Sequence, residues 1–295
     1  MKESFFATRH ARPARDKSDS DPVSETYPDL TQEGVIQAQE KARGEIMDLI
    51  NNSPEGSVVF IGATSDQPRT KQTAEIYGDA LAEYQDDTAD DNLVVLTKSR
   101  IEEMSGPNGE RSISETVKSI QRIITENPDK KIVIDFPLMI KQLAYKYNDR
   151  WTDADGKKTE YFSEILKKHG GDHAAAGKDW IANQGKLVME DGRVIEGPKP
   201  ENVAKEYLEG IQRVKDFVMK YVEDRHVVIG EVGHQWDIDA LVTYLGSNRV
   251  DQESFETITG GDIAGEAEMT SFEIGNDMAK VHYRGKDFEI QLSEE

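Results

Sequence analysis

Residues 58–84 read VVFIGATSDQPRTKQTAEIYGDALAEY, and this stretch indicates the class of fold. Val58 to Ala63 is a short apolar run rich in β-branched side chains, which predicts a buried strand. Pro68 to Tyr84 has apolar residues at helical spacing, and proline is favoured in the first turn of a helix. A strand that is followed directly by a helix is the unit from which parallel sheets are built.

Short apolar runs and longer amphipathic stretches alternate along much of the remaining chain. Further strands are predicted at 93–97, 131–136 and 227–232, and further helices at 113–126, 200–223 and 237–245. This alternation predicts an α/β fold with a mainly parallel central sheet and helices on both faces, which makes three layers. The tail differs, because 267–273 and 279–292 are predicted to form a hairpin or meander that turns at Arg284-Gly285-Lys286.

Residues 137–199 interrupt the alternation, and we predict that they form a cap or lid over one end of the sheet. The segment is aromatic and rich in turns, and Leu187 to Ile195 around Asp191-Gly192 fits a hairpin with a two-residue loop. We interpret Trp151 and Trp180 as part of the core of this cap. The chain is therefore divided into an α/β core, residues 1–136 and 200–295, and the inserted cap.

The composition argues against several classes of partner. The 295 residues carry a net charge of −21, which disfavours nucleic acid and anionic membrane surfaces, because phosphate groups need a basic face. Cysteine is absent, so disulfides, catalytic thiolates and cysteine-ligated zinc are excluded. No apolar stretch approaches the roughly 20 residues of a membrane span, and the first residues do not read as a signal peptide. We expect a soluble, cytoplasmic protein, with its oligomeric state left open.

Two arginines and two histidines follow apolar runs at widely separated points of the chain. Arg9 and His10 end the first apolar run, whereas Arg69 and His234 each follow a predicted strand. The carboxyl ends of parallel strands meet at one edge of a sheet, so we expect these four side chains to lie together. Neutral imidazole can attack phosphorus, and guanidinium groups can bind phosphoryl oxygens in a bidentate manner. The set indicates a phosphohydrolase.

Two other histidine clusters carry weaker signals. Arg225-His226 precedes its strand, so the pair is expected at the opposite edge of the sheet, away from the other candidates. His169, Asp172 and His173 could be imagined as metal ligands, but glycines separate them and further ligands are missing. A role for this loop in admitting substrate is the more plausible interpretation.

Four segments, in order along the chain, resemble the histidine phosphatase superfamily, whose members have a phosphoglycerate-mutase-like fold. The segments are Thr8-Arg9-His10-Ala11; Leu30-Thr31 with Gly34 and Gln37-Ala38; Ser65, Arg69, Gln72, Thr73 and Ala74; and His234 before Asp239-Ala240-Leu241. The resemblance implies that His10 is the nucleophile and becomes phosphohistidine. It further implies that Arg9, Arg69 and His234 bind the phosphoryl oxygens, and that the reaction needs no metal or other cofactor.

The same resemblance implies a carboxylate as the proton donor, in a Glu-x-x-x-Gly pattern. Glu102 to Gly106 has that spacing, which makes Glu102 the first choice and Glu103 the second. Such a group protonates the leaving alkoxide and then, as a base, activates the water that hydrolyses the phosphoenzyme.

The residues after His10 depart from the family pattern. Arg12, Pro13 and Asp16 stand where the mutase branch has Glu, Ser or Thr, and Asn, which disfavours a mutase that returns the phosphoryl group to its substrate. Arg12 and Arg15 could reach the substrate or be solvated loop residues. A catalytically silent relative that binds phosphorylated ligands or partner proteins is a further alternative. We expect a hydrolase that acts on a phosphorylated small molecule.

Overall fold

A twisted sheet organises the molecule in a computed structural model that describes residues 3–104, 113–135, 148–152, 157–222, 224–275 and 278–291. The strands are β1 (Glu3–Arg9), β2 (Val58–Ala63), β3 (Leu93–Leu96), β4 (Lys131–Asp135), β5 (Lys186–Val188), β6 (Val194–Glu196), β7 (Val227–Gly233), β8 (Met269–Ile274), β9 (Met278–Tyr283) and β10 (Lys286–Gln291). All of them except β5 and β6 belong to one sheet, with the order β10-β9-β8-β1-β7-β2-β4-β3.

The strands from β1 to β3 in this order are parallel, and β8, β9 and β10 extend the sheet as an antiparallel meander. This arrangement confirms the predicted mainly parallel sheet and the predicted meander in the tail. Strand β7 lies between β1 and β2, so Phe5 and Phe60 both pair with Ile229. The carboxyl ends of β1, β2 and β7 are therefore neighbours at one edge of the sheet.

Helices cover both faces of this sheet. They are α1 (Gln32–Lys41), α2 (Met47–Asn52), α3 (Pro68–Thr88), α4 (Lys98–Met104), α5 (Ile113–Glu126), α6 (Asn148–Trp151), α7 (Glu160–Lys168), α8 (His173–Ala182), α9 (Pro200–Met219), α10 (Gln235–Ser247) and α11 (Gln252–Thr259). The four predicted helices correspond to α3, α5, α9 and α10, with ends displaced by up to four residues. No helix in the described part of the chain is long and apolar enough to span a bilayer.

Alternate side chains of the central strands point into two separate cores. Phe6 and Val228 pack in the core under α1, α2 and α3, whereas Phe5 and Ile229 pack in the core that α9 and α10 cover. This alternation follows from the two-residue repeat of a strand. A side chain at Gly230 would place its Cβ 2.0 Å from the ring of Phe6, so the glycine makes room for that ring.

The described part of the insert packs against the carboxyl edge through aromatic rings. Trp151 and Trp180 are buried, as predicted, but they belong to the same core as α9 and α10. The rings of Trp151 and Trp236 are 5.0 Å apart, centre to centre, and those of Trp180 and Trp236 are stacked at 5.6 Å. The segment therefore shares its core with the rest of the chain, and the boundaries 137 and 199 remain a prediction.

The predicted hairpin of the insert is present as β5 and β6, but its loop is longer than predicted. Val188 pairs with Val194, and the amide of Met189 donates to the carbonyl of Arg193 at 2.8 Å. Three residues remain between Met189 and Arg193, and the last of them, Gly192, has a φ of 80°. A three-residue loop with glycine in the left-handed conformation is a common alternative to the two-residue turn.

A carboxyl group lies in the middle of the sheet, on β7. Glu231 is 3% exposed, and burial raises its pKa from 4.5 to about 8. The protonated form is therefore favoured in the folded state, whereas the unfolded chain ionises near the ordinary value. Between these two pKa values the folded state holds more protons, so stability falls as the pH rises from about 4.5 to about 8.

Replacing Glu231 by glutamine is expected to stabilise the protein at alkaline pH. The amide has the shape of the protonated carboxyl but never ionises, so up to about 4 kcal/mol of unfolding free energy is regained at pH 9 and little at pH 4. Urea denaturation at a series of pH values measures this difference. Glu40→Gln, at an exposed position of α1, is the control and should leave the pH dependence unchanged. Parallel pH profiles for E231Q and the wild type would contradict the prediction.

Candidate active site

His10 stands directly after β1 and is buried, with 3% of its surface exposed. Its Nδ1 is 2.8 Å from the carbonyl oxygen of Ala11, which can only accept, so Nδ1 carries the ring proton and donates. The lone pair of the neutral ring is then on Nε2, which accepts a hydrogen bond from Arg69 Nε at 3.1 Å. Burial and the charge of Arg69 lower the pKa of His10 well below 6.5. The ring is thus a neutral imidazole with its nucleophilic nitrogen beside a guanidinium.

Arg69 joins two histidines that come from opposite ends of the chain. It lies in the first turn of α3, and its Nη2 is 3.4 Å from Nδ1 of His234. The ring centres of His10 and His234 are 5.4 Å apart. The side chain of Gln67 accepts from Arg69 Nη1 at 3.2 Å and helps to orient the guanidinium. One planar group therefore spans both imidazoles.

His234 occupies the position before α10 and is 6% exposed. Its Nε2 is 2.7 Å from the hydroxyl of Ser65, which follows β2. Burial, followed by the charge of Arg69, lowers the pKa of His234 well below 6.5. With Arg69 donating to Nδ1, the neutral ring carries its proton on Nε2 and donates it to Ser65. A side chain at Gly233 would place its Cβ 2.9 Å from the hydroxyl of Tyr207, so glycine suits the approach to this histidine.

Arg9 is the fourth predicted residue at this edge of the sheet. Its Nη1 donates to the carbonyl of Ala264 at 2.8 Å, and its Nε has no hydrogen-bond partner among the described residues. The amide of Ala264 donates at 2.8 Å to Asp239, a buried carboxyl whose pKa burial raises to about 8. Burial lowers the pKa of Arg9, and the nearby carboxyl groups of Glu266 and Asp239 oppose this effect.

The four predicted side chains line one cleft of about 200 Å³. Its other described lining residues are Arg15, Gln67, Trp151, Thr152, Lys158, Phe162, His173, Gln235, Trp236 and Asp237. Both α3 and α10 begin at this cleft, with backbone amides that have no partner inside the helix. Four of the described lining residues are arginine or lysine, and one is a carboxylate, so the cleft suits an anion although the chain has a net charge of −21.

Glu102 and Glu103, the predicted proton donors, lie elsewhere. Both are exposed on α4, and neither lines the cleft, while Gly106 is outside the described residues. The carboxylate that does line the cleft, within the described ranges, is Asp237, which accepts from the indole of Trp151 at 3.2 Å. Sequence reasoning missed Asp237. Its position in the first turn of α10, three residues after His234, is the signal that could have identified it.

The two arginines that follow His10 have different surroundings. Arg12 forms an ion pair with Asp21 at 3.4 Å and does not line the cleft. Arg15 lines it, and 48% of its side chain is exposed. Arg12 precedes the short helical turn at Ala14–Asp16, whereas Arg15 lies within this turn.

Arg225 and His226 precede β7, at the opposite edge of the sheet, as predicted. The guanidinium of Arg225 donates to the backbone carbonyls of Ile124, Asn127 and Lys130 at 3.0–3.2 Å. These contacts join the loops at that edge, so the role of Arg225 is structural.

The segment from His169 to His173 divides between two roles. His169 Nε2 is 2.8 Å from Asp179, and Asp172 caps α8 by accepting from the amide of Ala174 at 2.8 Å. His173 lines the cleft. Within the described ranges, no three His, Asp or Glu side chains are grouped as a metal ion would require, and the expectation of a metal-independent reaction remains a prediction.

Comparisons with known proteins complete the description of the site. The sequence matches no family model and no curated protein. Solved structures that are similar over most of their length include mycobacterial hydrolase 2, at 13% identity and a TM-score of 0.43, with 98% of this chain and 89% of that chain covered. A mycobacterial glucosyl-3-phosphoglycerate phosphatase has 12% identity and a TM-score of 0.41, with 92% of this chain and 89% of that chain covered. A phosphoglycerate mutase from Bacillus anthracis has 12% identity and a TM-score of 0.38, with 99% of this chain and 92% of that chain covered.

Two of these neighbours carry the names of the class of enzyme that the four sequence segments resemble. Their TM-scores are below 0.5, so the likeness does not determine what this chain does. The function has to be inferred from the geometry of its own cleft.

Proposed function

We propose that this chain is a phosphohydrolase that removes the phosphoryl group from a small phosphomonoester through a phosphohistidine on His10. The observation that carries the proposal is the contact of one guanidinium, that of Arg69, with Nε2 of His10 and Nδ1 of His234. When the phosphoryl group of a substrate displaces these contacts, it faces the lone pair of the neutral His10 on one side and hydrogen-bond donors, among them Arg69, on its other sides.

The first chemical step is attack by the lone pair of His10 Nε2 on phosphorus. The N–P bond forms while the ester P–O bond opposite to it breaks, and the leaving oxygen takes up a proton. Water then gives a proton to the carboxylate that protonated the leaving oxygen and attacks the phosphohistidine; the N–P bond breaks, inorganic phosphate leaves, and the lone pair returns to Nε2. The hydrogen bond from Nδ1 to the carbonyl of Ala11 supports this role, because it keeps the proton on the other nitrogen throughout.

The charge that develops on the phosphoryl oxygens is stabilised by groups already in position. Arg69 and Arg9 offer guanidinium donors, and the first amides of α10 point towards the same space. An anion beside His234 offsets the charge of Arg69, which otherwise lowers the pKa of this ring. His234 can then be protonated on Nδ1 as well and donate a further hydrogen bond. Donors that are held in place by the fold need little reorganisation during the reaction, which is the source of their effect.

For the proton donor, the cleft favours Asp237 over the sequence-based choice, Glu102. Asp237 lines the cleft and is held against the indole of Trp151, whereas Glu102 is exposed on α4. A general acid has to reach the leaving oxygen through a hydrogen bond or a single water molecule. Position in the cleft is therefore the stronger argument of the two.

Two alternatives from the sequence analysis remain distinct from this proposal. A mutase would return the phosphoryl group to its substrate, and a silent relative would bind phosphorylated ligands without turnover. The neutral His10, with its proton held on Nδ1 by the carbonyl of Ala11 and its lone pair on Nε2, favours chemistry over binding alone. Pro13 and Asp16, in place of the mutase residues, favour transfer to water.

The experiment that tests the proposal is hydrolysis of p-nitrophenyl phosphate between pH 5.5 and 7 in the presence of EDTA. We expect turnover that EDTA does not affect, and an acid-labile, alkali-stable phosphoenzyme after rapid quenching. The low pKa of His10 keeps the nucleophile neutral over this range. Loss of activity in EDTA with recovery on adding a divalent metal would overturn the metal-independent mechanism, and turnover with no trapped phosphohistidine would overturn the covalent one.

A further inference from the structure

The loop of residues 260–268 joins α11 to β8 and contains neither helix nor strand. Its backbone carbonyl and amide groups therefore need partners from other parts of the fold. One side of the loop contacts Arg9 at the cleft, and the other contacts Arg284 in the turn between β9 and β10. The loop thus connects the candidate active site with the meander in the tail of the chain.

Two backbone carbonyls of the loop hold Arg9. The carbonyl of Glu268 accepts from the amide of Arg9 at 3.0 Å, and the carbonyl of Ala264 accepts from its Nη1 at 2.8 Å. The amide of Ala267 makes a longer contact, at 3.4 Å, with the carbonyl of His10. The loop therefore places both the main chain and the guanidinium of Arg9.

The guanidinium of Arg284 holds the other side of the loop. Its Nη1 donates to the carbonyls of Thr259 at 2.6 Å and Asp262 at 3.1 Å. Its Nη2 donates to the carbonyl of Ile263 at 3.1 Å and to the carboxylate of Glu268 at 2.9 Å, whose other oxygen accepts from Nε. A guanidinium has five N–H donors, and these contacts use all of them. Arg284 therefore fixes both ends of the loop.

Glu268 is the link between the two arginines. Its carboxylate accepts from Arg284 and from the amide of Gly265 at 2.6 Å, while its backbone carbonyl accepts from the amide of Arg9. Arg284 and Arg9 are thus separated by a single residue that contacts both. A displacement of Glu268 directly moves a partner of Arg9.

The backbone of the loop is strained next to this link. Ala267, which precedes Glu268, has a φ of 53°, in the left-handed region that alanine rarely adopts. Such a conformation persists only where the surrounding contacts hold it. If the contacts of Arg284 are removed, we expect this segment to relax and to carry its carbonyls away from Arg9.

Arg284 is itself an unusual choice for its turn. Tyr283 pairs with Lys286, so Arg284 and Gly285 form a two-residue turn, and their φ angles are 50° and 69°. Turns with two positive φ angles favour Asn-Gly, Asp-Gly or Gly-Gly. The contacts of the arginine side chain, rather than the needs of the turn, explain why arginine occupies this position.

We propose that Arg284 is a positioning residue of the active site, which acts on the phosphoryl group through Glu268 and Arg9. This inference rests on the proposed phosphohydrolase function and adds a residue of the meander to it. Arg284 does not line the cleft, so its effect is to hold Arg9 in the geometry that the phosphoryl oxygens require.

Arg284→Asn tests this inference, because it removes the guanidinium and leaves a residue that suits the turn. Asn-Gly favours a two-residue turn of this kind, so the hairpin should form at least as readily as in the wild type. We expect kcat/KM for p-nitrophenyl phosphate to fall about tenfold to 10²-fold, since a displacement of about 1 Å can cost about 10²-fold. Activity at the wild-type level would mean that residue 284 serves the turn alone, and it would overturn the inference.

Two further variants separate positioning from charge and from general stability. Arg284→Lys keeps the positive charge but cannot make five hydrogen bonds, so its activity should remain reduced. Arg225→Gln removes a guanidinium that also binds backbone carbonyls, but at the opposite edge of the sheet. This control should keep the wild-type kcat/KM per folded molecule. Full activity in R284K, or equal losses in R225Q and R284N, would overturn the inference.

A double-mutant cycle tests whether Arg284 acts through Arg9. In an Arg9→Met background, Arg284→Asn should change kcat/KM by less than about twofold, because the group that it positions is absent. The same cycle is measured in the binding of inorganic phosphate by isothermal titration calorimetry, which needs no turnover. Losses that simply multiply in the double variant would show that the two arginines act independently, and they would overturn the inference.

The outcomes separate this inference from the proposed function. Independent losses in the cycle, with wild-type hydrolysis and a trapped phosphohistidine, would overturn the positioning role and keep the phosphohydrolase. Absence of hydrolysis and of phosphohistidine in the wild type would overturn the proposed function. The inference would be overturned with it if phosphate binding also showed no coupling between Arg9 and Arg284.

Discussion

Replacing His10 by alanine is expected to lower kcat by about 10⁴-fold or more, because it removes Nε2, the atom that we propose forms the bond to phosphorus. The imidazole of His173 also lines the cleft, but it packs against Phe162 and Trp236. Nδ1 of His234 is the corresponding lone pair, but it lies on the far side of Arg69 and faces the same guanidinium. The residual rate should come from binding and charge stabilisation alone. Turnover of p-nitrophenyl phosphate measures the loss of rate, and rapid-quench trapping measures the loss of the phosphoenzyme.

The control for this variant is His226→Ala, which removes the histidine of the other Arg-His pair. His226 is half-buried at the opposite edge of the sheet, before β7, so its removal should leave turnover unchanged. Circular dichroism and thermal melting of both variants establish that the fold is retained. Turnover by H10A at the wild-type rate would mean that the phosphoryl acceptor is another group, and the covalent mechanism would have to be abandoned.

Arg69→Met is expected to lower kcat/KM by about 10³-fold, roughly 4 kcal/mol, because it removes a guanidinium that contacts both histidines. The change also has an electrostatic signature. Arg69 is the largest charge effect that lowers the pKa of His10, so its removal should raise that pKa towards 6.5. The acid limb of the kcat/KM profile then moves to higher pH, since more of the nucleophile is protonated at a given acidity.

Two further variants separate geometry from charge at this position. Arg69→Lys keeps the positive charge, so the pKa of His10 should stay low, but a single ammonium cannot donate to both imidazoles and activity should remain at least about tenfold reduced. Lys71→Met removes a partly exposed cation two residues further along α3 and should change neither quantity. NMR titration of the His10 ring, assigned by comparison with H10A, measures the pKa. An unchanged pKa in R69M would contradict the electrostatic role of Arg69.

The central layer of the fold was accessible from local sequence patterns. Val58 to Ala63 and Val227 to Val232 are apolar runs of strand length, and each is followed by residues at helical spacing. Chain direction then decides which end of a strand a residue occupies. This is why the edge of the sheet could be predicted for His10 and, on the opposite side, for Arg225.

Helices α1 and α11 were not predicted, although their signals are readable afterwards. The hydroxyl of Thr31 accepts from the amide of Gly34 at 3.0 Å, and Asp251 accepts from the amide of Ser254 at 2.8 Å, as helix caps do. Both helices carry many polar residues, because only one side of each helix packs against the core. A pattern search that starts from apolar runs passes over such helices.

The sequence by itself determined the alternation of strands and helices, the edge at which Arg9, His10, Arg69 and His234 meet, and the kind of chemistry that these groups can perform. The tertiary structure alone decided that Asp237 rather than Glu102 lines the cleft, and that Arg15, Lys158 and His173 line it as well. The physical reason is distance along the chain. Periodicity and strand direction are local properties, whereas Asp237 is held in the cleft by the indole of Trp151, which itself packs against Trp236, and no spacing in the sequence encodes these contacts.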